Sequence, residues 1–471
     1  MITRILVVLV ATALAVGAPA ARQQTFDLVI AGGRVMDPES GLDGVRHVGI
    51  NAGRIAAISS EALSGRNSIN AAGRVVAPGF IDLHAHEQDN EGYRFQALDG
   101  VTSSFELEVG ASDIDGWYAT RSPGQLINHG VSVGHIQVRM AVMKDPATFL
   151  PTGSGAHGNA TPSDVKAIVA GIEAGLRRGA VSVGAGFPYT PAATRDELLE
   201  VFRVAGRHGA AVHVHTRRGV AGLTEALALA GEGKARLHVV HLNSAGRNET
   251  PRMLVLIDAA RAAGRDVTTE AYPYTAGMTE IKSANLDEYE KPDADLSVLE
   301  WPRTGERLTR ESFNRYRREG GPVVLHTNTE EMVAVAINSS LTMIASDSYW
   351  ENGTGHPRTA GTFSRVLGRY ARPPGSLNLM SALRKMTLMP AQRLESRVPA
   401  MRNKGRLKVG ADADIVVFDA VRVLDQSTYR EPSRPPVGID HVLVNGVPVV
   451  TGGKIVEGVT PGRAVRAPIE K

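Results

Sequence analysis

The chain has 471 residues, 43% hydrophobic and 21% charged, an ordinary globular balance with length enough for one large α/β barrel plus an accessory domain. A formal net charge of +3 is small for this length, and the basic run Arg310 to Arg318 reads as a solvated helix face, which speaks against nucleic acid as a partner. The absence of cysteine excludes disulfides, thiol nucleophiles and Cys metal sites.

At the N-terminus, Arg4 precedes an apolar run from Ile5 to Val16 and then Gly17-Ala18-Pro19-Ala20-Ala21. That pattern predicts a secretory signal peptide over residues 1–20, cut near Ala20, and hence an exported, periplasmic or secreted protein. No other stretch reaches about 18 apolar residues, so the mature form is expected to have no membrane partner.

Residues 21–78 contain short strand-like pieces separated by glycine turns: Phe26 to Ala31, Gly33 to Asp37, His47 to Ile50 and Arg54 to Ile58. Gly405 to Leu407, Asp414 to Phe418 and Val442 to Val450 read the same way. The two ends, 21–78 and 399–471, are expected to meet in one small β-sandwich domain. Between them, over 79–398, apolar runs alternate with amphipathic ones. The strand candidates are Val131 to Val138, Ala180 to Ala185, Ala211 to His215, Leu237 to His241, Asp266 to Ala271, Val323 to His326 and Thr342 to Ser346. The helix candidates are Asp164 to Arg178, Thr194 to His208, Val220 to Ala230 and Thr250 to Ala263. Repeated βα units predict an α/β fold, a (β/α)8 TIM-like barrel.

Barrel chemistry sits where strands end, and the strand ends of this chain carry a consistent set. His84 and His86 follow an apolar run from Val75 to Leu83; two residues apart in a strand, they share a face. Glu106 and Glu108 alternate in the next strand, and His215, His241 and Asp347 end later ones. Four histidines, a glutamate and an aspartate in this register describe a hydrolytic site for one or two metals. His213 and His238 are read as structural, and His157 as part of a loop. Ser154 in Gly153-Ser154-Gly155 lacks the strand-to-helix elbow of a serine hydrolase nucleophile.

Several segments carry a resemblance: Ala77-Pro-Gly-Phe-Ile-Asp-Leu-His-Ala-His86, Gly179-Ala-Val-Ser-Val-Gly-Ala-Gly-Phe-Pro-Tyr189, His215-Thr-Arg217, Glu270-Ala-Tyr-Pro-Tyr274, Ser346-Asp347 and Gly355-His356-Pro357-Arg358. With the tail Gly405 to Asp419, the chain resembles the amidohydrolase superfamily and, within it, the N-acyl-D-amino-acid deacylases. The resemblance implies His84, His86, His215 and His241 as metal ligands, and Asp347 as both ligand and catalytic proton-transfer residue. Superfamily members with a bridging carbamylated lysine carry it on the fourth strand, yet residues 179–190 contain no lysine. Deacylases of this family use a cysteine at the end of the second strand, where Val109 stands here. A carboxylate is expected in its place: Glu108, nearer the strand end, with Glu106 as the alternative. Carboxylate is harder than thiolate and admits Mn2+ or Fe2+ beside Zn2+, for one or two ions.

On the substrate side the family's lysine is replaced in His241-Leu242-Asn243-Ser244, and Gly219 stands where an acidic residue is usual. Tyr189, Arg217, Asn243, Tyr274 and Arg358 are the candidate contacts to a small-molecule substrate. The implied activity is hydrolysis of a carbon–nitrogen amide bond, with an N-acyl D-amino acid or similar small amide as substrate. A cyclic amide, dipeptide or lactone on the same site is the alternative, and an inactive exported binding protein a further one.

Overall fold

The computed structural model describes residues 25–470. The expected signal peptide at 1–20 lies outside them. Eight parallel strands form the centre of the molecule: β1 Phe80–Asp82, β2 Val101–Ala111, β3 Asn128–Gly134, β4 Val183–Gly186, β5 Ala211–His215, β6 Arg236–Val239, β7 Val267–Ala271 and β8 Thr342–Ile344. Each pairs with its sequence neighbour, as right-handed βα units require. The ring closes beyond β8: Asp82 accepts from the Ser346 backbone at 3.0 Å and from its hydroxyl at 2.5 Å, and the His86 N–H donates to the Ser348 carbonyl at 3.2 Å.

The connecting helices form because their apolar residues recur at helical spacing and their starts are capped. Pro162–Arg177 begins with a reciprocal Thr161–Asp164 capping box and buries Ile168, Ile172 and Leu176 along one face. Those side chains join Val131, Val133, Val183, Val212 and Leu237 in the core between strands and helices.

Within residues 79–398 two expected strands depart from the sequence expectation. The expected strand Val131 to Val138 ends at Gly134, because His135–Met143 turns helical and buries His135 and Arg139 against Glu197. Val323 to His326 forms a strand at Pro322–Leu325, but outside the barrel. It pairs antiparallel with Gly277–Glu280 and Leu299–Trp301 in a four-stranded sheet inserted between β7 and β8. A short apolar run reads alike in either sheet, so periodicity could not separate them.

The chain ends do meet, in one nine-stranded sheet in which Ile415–Phe418 lies antiparallel to Val75–Pro78. Side chains alternate across it. Val76, Ile415 and Val417 enter a core with Leu28, Ile30 and Val48. Val75, Ala77, Val416 and Phe418 face the barrel and pack with Phe80, Tyr93 and Phe363. This anchors the segment that delivers β1. Residues 462–470, expected with this domain, run instead along the barrel: Val465 donates to His129 O at 2.7 Å and Ala467 to Gly179 O at 3.0 Å.

Candidate metal centre

The centre begins with a break in strand register. Glu106 of β2 pairs with Val131 of β3, but the next pair is Ala111 with Val133, so five steps on β2 match two on β3. Residues 107–110 leave the ladder as a wide bulge. Glu106 closes it, its Oε1 accepting from the N–H groups of Glu108 at 3.1 Å and Val109 at 2.9 Å. Two glycines make room: a Cβ on Gly134 would stand 1.8 Å from Val109 O, and one on Gly184 2.2 Å from Glu108 O. The alternation expected for Glu106 and Glu108 therefore ends at the bulge, and their carboxylates do different things.

Glu108 is central. Its Oε2 lies 2.7 Å from His84 Nε2 and 3.5 Å from His86 Nε2, while its Oε1 lies 2.7 Å from His215 Nδ1 and 3.9 Å from His241 Nε2. Asp347 Oδ1 is 3.3 Å from both His84 Nε2 and His86 Nε2. Ligand atoms of His84, His86, Glu108 and Asp347 fall within 4.8 Å of one another, as do those of Glu108, His215 and His241. Glu108 belongs to both groups. Glu106 stands behind His86, its Oε2 2.7 Å from Nδ1.

A second layer orients the imidazoles. Glu270 takes His84 Nδ1 at 2.7 Å and His238 Nε2 at 3.0 Å. With the Nδ1 positions of His84 and His86 held by carboxylates, their Nε2 lone pairs are left toward Glu108 and Asp347. A buried pocket crowded with imidazole and carboxylate lone pairs fits divalent cations, which resolve the repulsion. His241 and Asp347 adopt left-handed φ values of 31° and 52°, strain held by the surrounding barrel.

The electrostatics follow from burial and charge. Burial raises the Asp347 carboxyl, but the Arg358 guanidinium beside it and His84 outweigh that and hold it well below the usual range. Glu108 is likewise held low against its burial by His215 and His84. Glu270, despite its burial, is brought down to about 2 by hydrogen bonds from His238 and His84.

The candidate substrate residues divide. Tyr189 borders the cavity with His215, His241 and Asp347, its ring edge-on to His215 with centroids 4.9 Å apart. Arg358 is fully buried, 2.9 Å from Asp347 Oδ2 and over the Tyr272 ring. Arg217 turns its Nη1 to Glu225 at 2.5 Å, on the helix Gly219–Gly233, and does not border the cavity. Asn243 is buried and donates to Tyr272 O at 3.2 Å, and Tyr274 is buried with its hydroxyl 3.4 Å from Pro357 O; neither borders the cavity. The residue reading missed Glu270, Arg218 and Arg247. Applying the two-residue alternation to Thr268 and Glu270 would have found the first, since both meet His238.

Residues 67–450 match the amidohydrolase family. The chain is 32% identical over 483 residues to an N-acyl-D-glutamate deacylase of Alcaligenes xylosoxydans xylosoxydans, covering 91% of this chain and 94% of that protein. It is 31% identical over 481 residues to a D-aminoacylase of the same organism, covering 90% and 95%. Among solved structures, an N-acyl-D-glutamate deacylase from Bordetella bronchiseptica, complexed with zinc and a phosphonate mimic of the tetrahedral intermediate, superposes with a TM-score of 0.82 at 26% identity, over 94% of this chain and 100% of that one. A D-aminoacylase studied for its binuclear metal centre gives 0.79 at 28% identity, over 94% and 100%. The chain belongs to the amidohydrolase family, beside the N-acyl-D-amino-acid deacylases, and is a hydrolase of carbon–nitrogen bonds other than peptide bonds.

Proposed function

We propose that this protein removes the acyl group from an N-acyl D-amino acid at a site for one or two zinc ions. The observation that carries the reading is Glu108, shared by two ligand groups, facing an aspartate paired with a buried arginine. His84, His86 and Asp347 would hold one ion, His215 and His241 the other, with Glu108 between them. Bound there, zinc supplies Lewis acidity toward a carbonyl and toward water.

The chain's own residues do the rest. Asp347, kept ionised by Arg358, takes a proton from the attacking water and returns it to the departing nitrogen. Glu106 and Glu270 keep the imidazoles of His86 and His84 turned toward the reaction. Tyr189 walls the cavity beside His215.

The test combines metal analysis of the purified protein with hydrolysis of paired N-acyl-D- and N-acyl-L-amino acids before and after chelation. One to two zinc equivalents and chelator-sensitive, D-selective release of the amino acid are expected. Full activity in metal-free protein, or no turnover of either series, overturns the reading. Export is part of the same proposal and rests on the pattern of residues 1–20. N-terminal sequencing of protein from the cell exterior or periplasm should find a start near Ala21, and retention of Met1 would refute it.

A further inference from the structure

The metal centre is bordered on two sides. The inner cavity, with Tyr189, His215, His241 and Asp347, lies under the loops that follow β4 to β8. A second hollow, of about 430 Å³, reaches His86 and Glu106 under the loops that follow β1 to β3. Phe149 borders this hollow beside the centre. Its ring centroid is 5.3 Å from that of His86, with the planes at 72°, and 5.5 Å from that of Tyr349. The backbone that carries it is pinned. Gln137 Nε2 donates to the Phe149 carbonyl at 2.7 Å, and the Asp145 carboxylate accepts from the N–H groups of Ala147 at 3.1 Å and Gly153 at 2.8 Å. The half-buried ring packs with Leu150 and Tyr189 toward the barrel and with Met278 and Tyr349 toward the inserted sheet.

The two arms of an amide diverge at its carbonyl carbon, so each leaves the centre in its own direction. Asp347, which returns the proton to the departing nitrogen, borders the inner cavity, and this sets the amino-acid arm there. The acyl arm then points toward His86 and Phe149. The surface beyond them suits a carbon chain. Val109, Ala111, Trp117 and Phe149 supply apolar lining, while the charged groups are turned to partners of their own. Glu106 faces His86 and the bulge, Asp113 accepts from the Gly116 N–H, and Arg121 donates to Gln88 O and Trp117 O. Phe149 also borders a third hollow, but Glu280, Lys282, Arg303 and Glu319 line that one, and an acyl chain there would strip water from charges.

We propose that Phe149 determines which acyl group the site accepts: with its ring beside His86 only a short acyl group fits, and the hollow behind the ring is the space a longer chain would occupy. The proposal rests on the deacylase reading and narrows its substrates to short-chain N-acyl amino acids.

The test measures kcat/KM of zinc-loaded wild type, Phe149→Leu, Phe149→Ala and the double variant Phe149→Ala with Thr120→Trp. The substrates are the N-acetyl, N-butanoyl and N-hexanoyl derivatives of D-leucine and of D-glutamate. Thr120 is exposed and borders the hollow, so a tryptophan there fills it from outside. Wild type should favour acetyl over hexanoyl by about 100-fold. Phe149→Ala should bring that ratio near one, Phe149→Leu should fall between, and the added Thr120→Trp should restore the preference. A wild type indifferent to acyl length, or a ratio that the Phe149 variants leave unchanged, overturns the proposal. A gain that survives Thr120→Trp overturns it as well. Calorimetry with straight-chain hydroxamates from acetohydroxamate to octanohydroxamate, whose head groups bind zinc, gives a reading independent of turnover. Affinity should stay flat with length in wild type and rise about fourfold per methylene in Phe149→Ala. If wild type hydrolyses no N-acyl amino acid yet the hydroxamates follow this pattern, the deacylase reading fails and the Phe149 wall stands. If hydrolysis proceeds but Phe149 governs neither series, the wall falls and the deacylase reading stands.

Discussion

Arg358 Nη1 lies 2.9 Å from Asp347 Oδ2, with Arg358 fully buried, so the proposed proton carrier is held on one side by a permanent positive charge. Asp347→Asn should lower kcat by about 10²- to 10⁴-fold while metal remains bound, as read by steady-state kinetics beside metal analysis. Arg358→Met strips the buried Asp347 of the ion pair at its Oδ2 and should cost about 3–5 kcal/mol of stability in denaturant titration. Near-normal turnover in Asp347→Asn would refute its role.

Glu106 and Glu108 are two residues apart and should respond differently. Glu108→Ala removes the carboxylate common to both ligand groups and should cost at least one equivalent of metal in the dialysed protein. Glu106→Gln keeps every direct ligand candidate and disturbs only the His86 support and the bulge. Its metal should bind about 10- to 100-fold more weakly, measured by chelator competition. Equal behaviour of the two variants would contradict the division of roles.

Gly184→Ala would place a methyl 2.2 Å from Glu108 O, against backbone that cannot swing aside. It should cost about 1–3 kcal/mol and reduce bound metal together. A stable Gly184→Ala protein with its full complement of metal would show that the bulge is free to move.

Lys385, 3% exposed, donates to the carbonyls of Ser339 and Thr342, and burial lowers its pKa from 10.5 to about 8. The folded state therefore binds fewer protons than the unfolded chain between those values. The penalty is fully present below pH 8 and is relieved as pH rises toward 10.5. Wild type should gain on the order of 3 kcal/mol over Lys385→Met across that window. Urea unfolding of both proteins at several pH values checks it, and a constant difference would refute it.

The barrel and the paired chain ends were legible because periodicity records burial: Ala211 to His215 is β5, residue for residue. His84, His86, His215, His241 and Asp347 were legible because strand ends converge in a closed barrel. Glu108 was preferred for its place nearer the strand end and does lie in both ligand groups; that Glu106 turns behind His86 was not legible, since alternation assumes an unbroken ladder and the register breaks after Glu106. The direction of Arg217 was not legible, because its neighbour Arg218 borders the cavity while Arg217 meets Glu225 about two helical turns further on. The inserted sheet at 277–325 was hidden because the one of its strands that reads as a strand, Pro322–Leu325, is a short apolar run like those of the barrel.

The bulge at 107–110 carries a further consequence. Its residues make no ladder contacts, so the side chain offered to the metals can be exchanged while the eight-stranded hydrogen bonding stays as it is. The scaffold thus separates the choice of bridging donor from the stability of the barrel. A carboxylate at Glu108 offers a hard oxygen donor, and an exchange of that side chain for a soft one would shift metal preference within one architecture.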